Sequence, residues 1–261
     1  MNAALVALLW VLAAGQGEEW HHDPVWHDGL VEKAVYTASR PIYGRNRVYE
    51  AIFFTNKEVH DPATQTKSPN GRGFEAWKFN QVEVIPTPNY DYKYVTTTHQ
   101  TVDGLRLTRH ESSSQEFCGT SFKQYQSAGG EISYWSFSYM PGAGRVQATI
   151  SADEGVVPED SLPHFLRFYD FAARPEIRLS LLPSQKSNRA TDWKPAAAVV
   201  RHVATEPQGH RLELVLGGNV RGTYWMAPDR GHVMTRYAGA DGTRYELKNV
   251  ERVDYWTIRG E

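Results

Sequence analysis

A lone cysteine, Cys118, follows Glu116 at two residues and His110 at eight, and thiol, carboxylate and imidazole are the groups from which a nucleophile and its base are made. The local string is Ser112-Ser113-Ser114-Gln115-Glu116-Phe117-Cys118-Gly119. Threaded as a strand, it puts Glu116 and Cys118 on one face and Gln115, Phe117 and Gly119 on the other, and His110 joins the face of Cys118 only if no bulge intervenes. Free cysteine packs into interiors more readily than it reacts, so the expectation is a buried, inert Cys118. A cysteine-dependent hydrolase using Cys118 with Glu116 or His110 is the alternative, and no other catalytic residue is assigned.

Glu18, Glu19, His21, His22, Asp23, His27 and Asp28 gather metal-ligand types near the start of the chain. His21 and His22 are adjacent and would point to opposite sides of an extended chain, so no three-ligand set forms and no metal or other cofactor is expected. The sequence has no Gly-x-Ser-x-Gly elbow, no phosphate-binding Gly-x-x-x-x-Gly-Lys-Ser/Thr loop and no His-Glu-x-x-His. The aromatic content carries more information. Eight Trp, fourteen Tyr and ten Phe exceed what a compact core requires, and Tyr and Trp suit surfaces that are apolar at one end and wet at the other. Tyr92, Tyr94, Trp135, Phe137, Tyr139 and Trp225 are the expected lining of a hydrophobic-ligand site; the competing reading is that they pack beneath a helix.

The elements that would position these residues are strands. Ile177, Leu179 and Leu181 alternate with polar residues, as do Leu212, Leu214 and Leu216, and Trp135, Phe137 and Tyr139 alternate in the same way. Turn signals separate such runs at Pro69-Asn70-Gly71, Ala128-Gly129-Gly130, Pro141 to Gly144, Pro207-Gln208-Gly209, Gly217-Gly218-Asn219 and Ala240-Asp241-Gly242. This spacing predicts a mainly β fold, an antiparallel meander of about a dozen strands that curls into a strongly curved sheet or half-barrel. One short helix is expected over about residues 161–172, with Ser161 as cap, Pro163 in the first turn, and Leu162, Phe165, Leu166 and Tyr169 turned toward the concave face. Pro183 to Pro195, polar and without period, reads as an exposed connection.

In 261 residues the 28 basic and 30 acidic side chains leave a net charge of −2 and no basic footprint, so no nucleic-acid partner is expected. One cysteine excludes an intramolecular disulfide. Met1 to Ala14 form an apolar run too short to span a bilayer, followed by small residues and then Glu18-Glu19, the layout of a secretory signal peptide, although no Lys or Arg precedes the run. A buried N-terminal helix is the other reading. The expected organisation is a signal peptide at 1–17 and a single β-rich domain at 18–261, periplasmic or secreted, with no transmembrane segment in the mature chain.

Taken in order, Trp26-His27-Asp28-Gly29, Glu32-Lys33-Ala34, Tyr43-Gly44-Arg45, Trp77-Lys78-Phe79-Asn80 and Ser113 to Gly119 resemble an uncharacterised bacterial secreted family whose members often carry the label "septum formation inhibitor Maf". The resemblance covers residues 26–140. The Ser-x-Ser-Pro-Arg-Arg opening of true Maf pyrophosphatases is missing, so that activity is not implied. Tyr224-Trp225-Met226-Ala227-Pro228-Asp229, Val233 and Tyr245-Glu246-Leu247 are similar to the closing hairpins of lipoprotein-carrier-like periplasmic half-barrels, which implies an open barrel holding acyl chains. The resulting expectation is an exported envelope protein that binds a hydrophobic or lipid-derived ligand without catalysis. A structural or assembly partner of other envelope proteins is a further alternative.

Overall fold

The structure, a computed structural model, describes residues 21–142, 144–151, 155–170, 174–189, 192–229 and 231–256. The signal-peptide reading of residues 1–17 lies outside them. Among the described residues, fifteen strands form one sheet: β1 (Val31–Ile42), β2 (Arg45–His60), β3 (Phe74–Ile85), β4 (Tyr92–Thr101), β5 (Leu107–Glu116), β6 (Gly119–Ala128), β7 (Glu131–Ser138), β8 (Arg145–Ser151), β9 (Val156–Pro158), β10 (Glu176–Leu182), β11 (Ala196–Glu206), β12 (Gly209–Leu216), β13 (Asn219–Met226), β14 (Met234–Gly239) and β15 (Arg244–Val253). The spatial order is β8 back to β1, then β15 back to β9, so the chain starts at the centre with β1, runs out to one edge at β8, resumes at the other edge with β9 and returns to the centre, where β15 pairs with β1. Every neighbouring pair is antiparallel except β9 with β10, where Val156 to Pro158 run parallel to Ser180 to Leu182. Each turn signal named in the sequence falls between consecutive strands.

The sheet is open and curved, and its concave face is built by alternation. Ala34, Tyr36 and Ala38 of β1, Tyr49, Ala51 and Phe53 of β2, and Ile177, Leu179 and Leu181 of β10 all point into one core, joined by Leu212, Leu214, Tyr224, Met226 and Tyr245. The expected helix lies on that face but is shorter than predicted. α1 (Leu162–Phe165) is a single turn flanked by 3-10 turns at Glu159–Ser161 and Leu166–Phe168, and Leu162, Leu166 and Tyr169 enter the core. Pro163 sits in the first turn as expected, whereas the Ser161 hydroxyl does not cap the helix and donates instead to the Pro158 carbonyl at 2.9 Å. No helix among the described residues is long and apolar enough to cross a membrane.

The segment Pro183 to Pro195 corrects the sequence reading in part: residues 184–188 are held inside the sheet, while Arg189, Asp192 and Lys194 are exposed as expected. Gln185 is buried, and its carbonyl accepts from Ser112 Oγ at 3.0 Å and from Lys123 Nζ at 3.2 Å. The Ser187 carbonyl accepts from Lys123 Nζ at 2.8 Å, and the Asn188 carbonyl from Ser138 Oγ at 2.7 Å. A chain without secondary structure has unpaired peptide groups, and burying it requires donors from the wall. Inward-facing Ser112, Ser114, Ser121, Lys123 and Ser136 give β5 to β7 a polar inner patch beside the apolar cluster of Leu107, Tyr125, Ile132 and Tyr134. The segment is thus a plug against the β4–β7 half of the concave face, while α1 and the apolar residues fill the other half.

Candidate functional site

The ends of the β1–β2, β3–β4, β5–β6 and β7–β8 hairpins meet the plug at one rim of the sheet. Arg40, Ile42, Tyr43, Tyr90, Tyr92, Tyr94, Glu116, Cys118 and Met140 there line a cleft of about 460 Å³ with Asn188 and Arg189. The tyrosines support one another: Tyr43 and Tyr92 share a hydrogen bond, Tyr90 packs at 5.7 Å from Tyr92, and Phe117 stacks on Tyr90 at 5.0 Å. The Arg40 guanidinium lies 5.7 Å from the centre of the Tyr94 ring. Burial, then the hydrogen bond with Tyr43, pushes the Tyr92 phenol well above its ordinary value, so the Tyr92 hydroxyl is neutral at neutral pH.

Behind this cleft, and sharing Arg40 and Ser187 with it, a cavity of about 250 Å³ is bounded by Gln81, Asp160, Lys186, Arg221, Tyr224, Tyr237 and Tyr245. Its polar floor is a closed network. Lys186 Nζ lies 2.8 Å from Glu83 Oε1 and 3.2 Å from Gln81 Oε1. Glu83 also accepts from Tyr49 at 2.7 Å and Tyr245 at 3.0 Å. Burial alone would raise the Glu83 carboxyl; the Lys186 ammonium and the tyrosine donors outweigh it and hold the group below its ordinary value. Asp160 behaves alike: burial opposes ionisation, but His110 at 3.5 Å, Lys186 and Ser184 hold the carboxyl well down.

The residues expected at a site are therefore divided. Tyr92 and Tyr94 face the rim cleft. Trp135 and Phe137 do not face inward, because the register of β7 puts Tyr134 and Ser136 on the concave side and turns Trp135 and Phe137 outward. Phe137 and Tyr139 line a separate surface groove with Phe122 and Arg145. Trp225 likewise alternates with the inward Tyr224 and Met226 and lies under Arg236, whose guanidinium carbon is 4.6 Å from its ring. One aromatic in two along a strand must face out, and spacing alone does not say which parity is inner.

Cys118 is exposed, contrary to the expectation of burial, because residues 117 and 118 form the two-residue turn that joins β5 to β6 rather than continuing a strand. Tyr90 Oη lies 2.7 Å from its Sγ, and that contact, ahead of desolvation, raises the Tyr90 phenol to about 12. Glu116 pairs with the Asn188 side chain. His110 stands six residues from Glu116 along β5, about 20 Å, and its Nδ1 is engaged by Thr98 Oγ1 at 2.8 Å. His110 is therefore not brought to Cys118, whereas Glu116 and Cys118 line the same rim cleft. Of the acidic and histidine cluster at the chain start, Asp23 caps a 3-10 turn at Pro24–His27, His27 approaches Glu75 at 3.5 Å and Asp28 pairs with Arg252 at 2.6 Å. His21 and His22 come together with Asp103 on an exposed surface, and Glu18 and Glu19 lie outside the described residues.

An open curved sheet, plugged from within and carrying an aromatic cleft on one rim, defines the class as a β-barrel-like protein. No family model and no curated protein matches the sequence. Among solved structures the chain is similar to a β-barrel-like protein of domain of unknown function DUF1849 from Brucella abortus, with 10% sequence identity and a TM-score of 0.52 over 86% of this chain and 98% of that one. That likeness concerns the fold, and it bears on the half-barrel expectation rather than on the family labelled Maf.

Proposed function

We propose that this chain is an exported envelope protein that holds an amphipathic, lipid-derived ligand at the rim cleft without transforming it. The observation that carries the reading is the cleft itself: Ile42, Tyr43, Tyr90, Tyr92, Tyr94 and Met140 give an apolar wall with hydroxyls at its edge, and Arg40 and Arg189 stand at its border. Such a lining matches a molecule with a short apolar part and an anionic or polar head. Because α1 and the plug fill the concave face, the bound group is one that lies across the rim rather than a long chain threaded through the interior. Export is supported by the apolar start of the sequence and its small residues before Glu18.

The test is native mass spectrometry of tag-free protein recovered from its own envelope, followed by titration with a fluorescent fatty acid. A retained mass, a processed N-terminus near Glu18, and a loss of affinity on the order of tenfold in Tyr43→Ala and Tyr90→Ala are expected. A bare polypeptide mass together with no uptake of the probe would remove the reading.

A further inference from the structure

At the opposite end of β2 the outward face of the sheet is itself buried. Glu58 and His60 alternate on that face, and His99 of β4 joins them through the pairing of Lys78 with His99 and of Ala76 with Glu58. All three are more than nine-tenths buried: His60 is 1% exposed, Glu58 8% and His99 9%. The β2–β3 connection returns against the end of β2, so closely that a side chain on Gly73, at φ +148°, would come within 1.9 Å of the His60 carbonyl oxygen, and the Phe74 ring lies 5.8 Å from that of His60. Trp256 lies above Lys67 and Lys78 at the same place, with ring distances of 4.1 and 5.9 Å.

Inside this enclosure the imidazoles are unsatisfied. Neither nitrogen of His60 nor Nδ1 of His99 has a hydrogen-bond partner among the described residues, and the two rings lie 4.6 Å apart. His60 Nε2 is 3.5 Å from Glu58 Oε2, too long for a good hydrogen bond. Unpartnered buried polar groups of this kind cost about 1–3 kcal/mol each, so three in one place call for a common partner. One ligand atom from each residue lies within 4.8 Å of the other two. Bonds of about 2.0–2.2 Å to a tetrahedral ion separate ligand atoms by about 3.3–3.6 Å, and the His60 to Glu58 distance already meets that.

We infer that Glu58, His60 and His99 form a binding site for a divalent transition cation of the zinc type. Two imidazoles and one carboxylate are a ligand set suited to Zn²⁺, with solvent as a fourth ligand. Lys78 acts as the orienting neighbour: its ammonium, 3.0 Å from Glu58 Oε1, fixes the carboxylate and leaves Oε2 turned to His60. A His60 imidazolium paired with Glu58 would satisfy one of the three nitrogens, whereas a cation takes one nitrogen from each ring together with the Glu58 carboxylate and leaves a single His60 nitrogen over. The ion would tie β2 to β4 across β3 and pin the β2–β3 connection above them. This site is remote from the rim cleft and stands independently of ligand binding there.

The experiment titrates tag-free, chelator-stripped protein with Zn²⁺ against a chromophoric competitor and records the visible spectrum with Co²⁺. One equivalent is expected, with a Co²⁺ spectrum of low coordination number and a rise in the thermal midpoint on Zn²⁺ addition. Glu58→Gln and His99→Gln should each weaken binding more than about tenfold, while His22→Asn with Asp103→Asn leaves it unchanged. No uptake by the wild-type chain, or uptake lost only in the His22 and Asp103 variant, overturns the assignment. Should the buried variants fail to fold, the anomalous difference map of Zn²⁺-soaked wild-type crystals decides: a peak between His60, His99 and Glu58 upholds the site, and a peak elsewhere or none refutes it.

Discussion

Lys186 Nζ lies 2.8 Å from Glu83 Oε1, and that contact fastens the plug to β3 at the floor of the concave face. Removing one member of a buried pair leaves the other charge uncompensated, which typically costs about 3–5 kcal/mol, whereas replacing both is far milder. Lys186→Met is therefore expected to lower the unfolding free energy by about 3 kcal/mol or more, and adding Glu83→Gln in the same chain should restore at least half of it. Urea denaturation of the three proteins measures this. A single variant as stable as the parent would show that the pair does not hold the plug.

Acid should destabilise the fold in two stages. His164 is fully buried, stacked on Phe79 at 5.2 Å, and burial followed by the Arg167 charge holds its pKa well below the ordinary 6.5. The unfolded chain takes up a proton there before the folded one does, so stability present above pH 6.5 declines as pH falls below it, by up to about 1.4 kcal/mol per pH unit. Glu83 and Asp160, both held below their ordinary 4.5 and 3.8, contribute stability above those values that is lost on further acidification. His164→Phe keeps the ring stack and removes the His164 contribution to the first stage. Thermal midpoints measured from pH 7 to pH 3 should show the parent falling more steeply than the variant below about pH 6.5; parallel curves would refute the assignment.

Cys118 sits in an exposed turn at the edge of the rim cleft, so iodoacetamide should modify it fully in the native protein. A ligand lying across Tyr90 and Tyr92 would shield the sulfur. Labelling followed by mass spectrometry, with and without saturating fluorescent fatty acid, is expected to show slower modification of the loaded protein. Equal rates in the two samples would place the ligand elsewhere.

The strands and the hairpins between them were legible because alternation and turn residues are local signals: Ile177, Leu179 and Leu181 are buried as their period requires, and Gly217-Gly218 and Gly129-Gly130 lie between consecutive strands, whereas the pairing of β1 with β15 and the parallel pair of β9 with β10 join segments far apart in sequence. What was not legible depends on parity and on distant partners. Trp135 and Tyr134 are adjacent aromatics on β7, and only the register with β6 makes Tyr134 the inner one. Pro183 to Pro195 looked solvated because its own side chains are polar, while the donors that allow it inside, Ser112, Lys123 and Ser138, lie on three other strands. The Glu58 and His60 pair had a signal, two ligand types at a strand spacing of two, but His99 is brought to it only by the pairing through β3.

Lys123 is the most informative of those donors, since it is completely buried and its Nζ reaches both the Gln185 and Ser187 carbonyls, at 3.2 and 2.8 Å. Burial lowers its pKa to about 8, offset in part by Asp160, so at pH 7 the group is still a cation with its protons aimed at the plug. Lys123→Met conserves the length and apolar stem while deleting both hydrogen bonds, leaving two buried carbonyls without that donor. The plug alone should respond: hydrogen–deuterium exchange ought to rise across residues 184–189 while β1, β2 and β12 keep their protection, corresponding to a loss of about 2–4 kcal/mol in the free energy of local opening of the plug. Tight exchange across the segment in the variant would mean that the plug is held by the Lys186 and Asp160 contacts alone. Uniform loosening of all strands would mean that plug and sheet unfold as one cooperative unit.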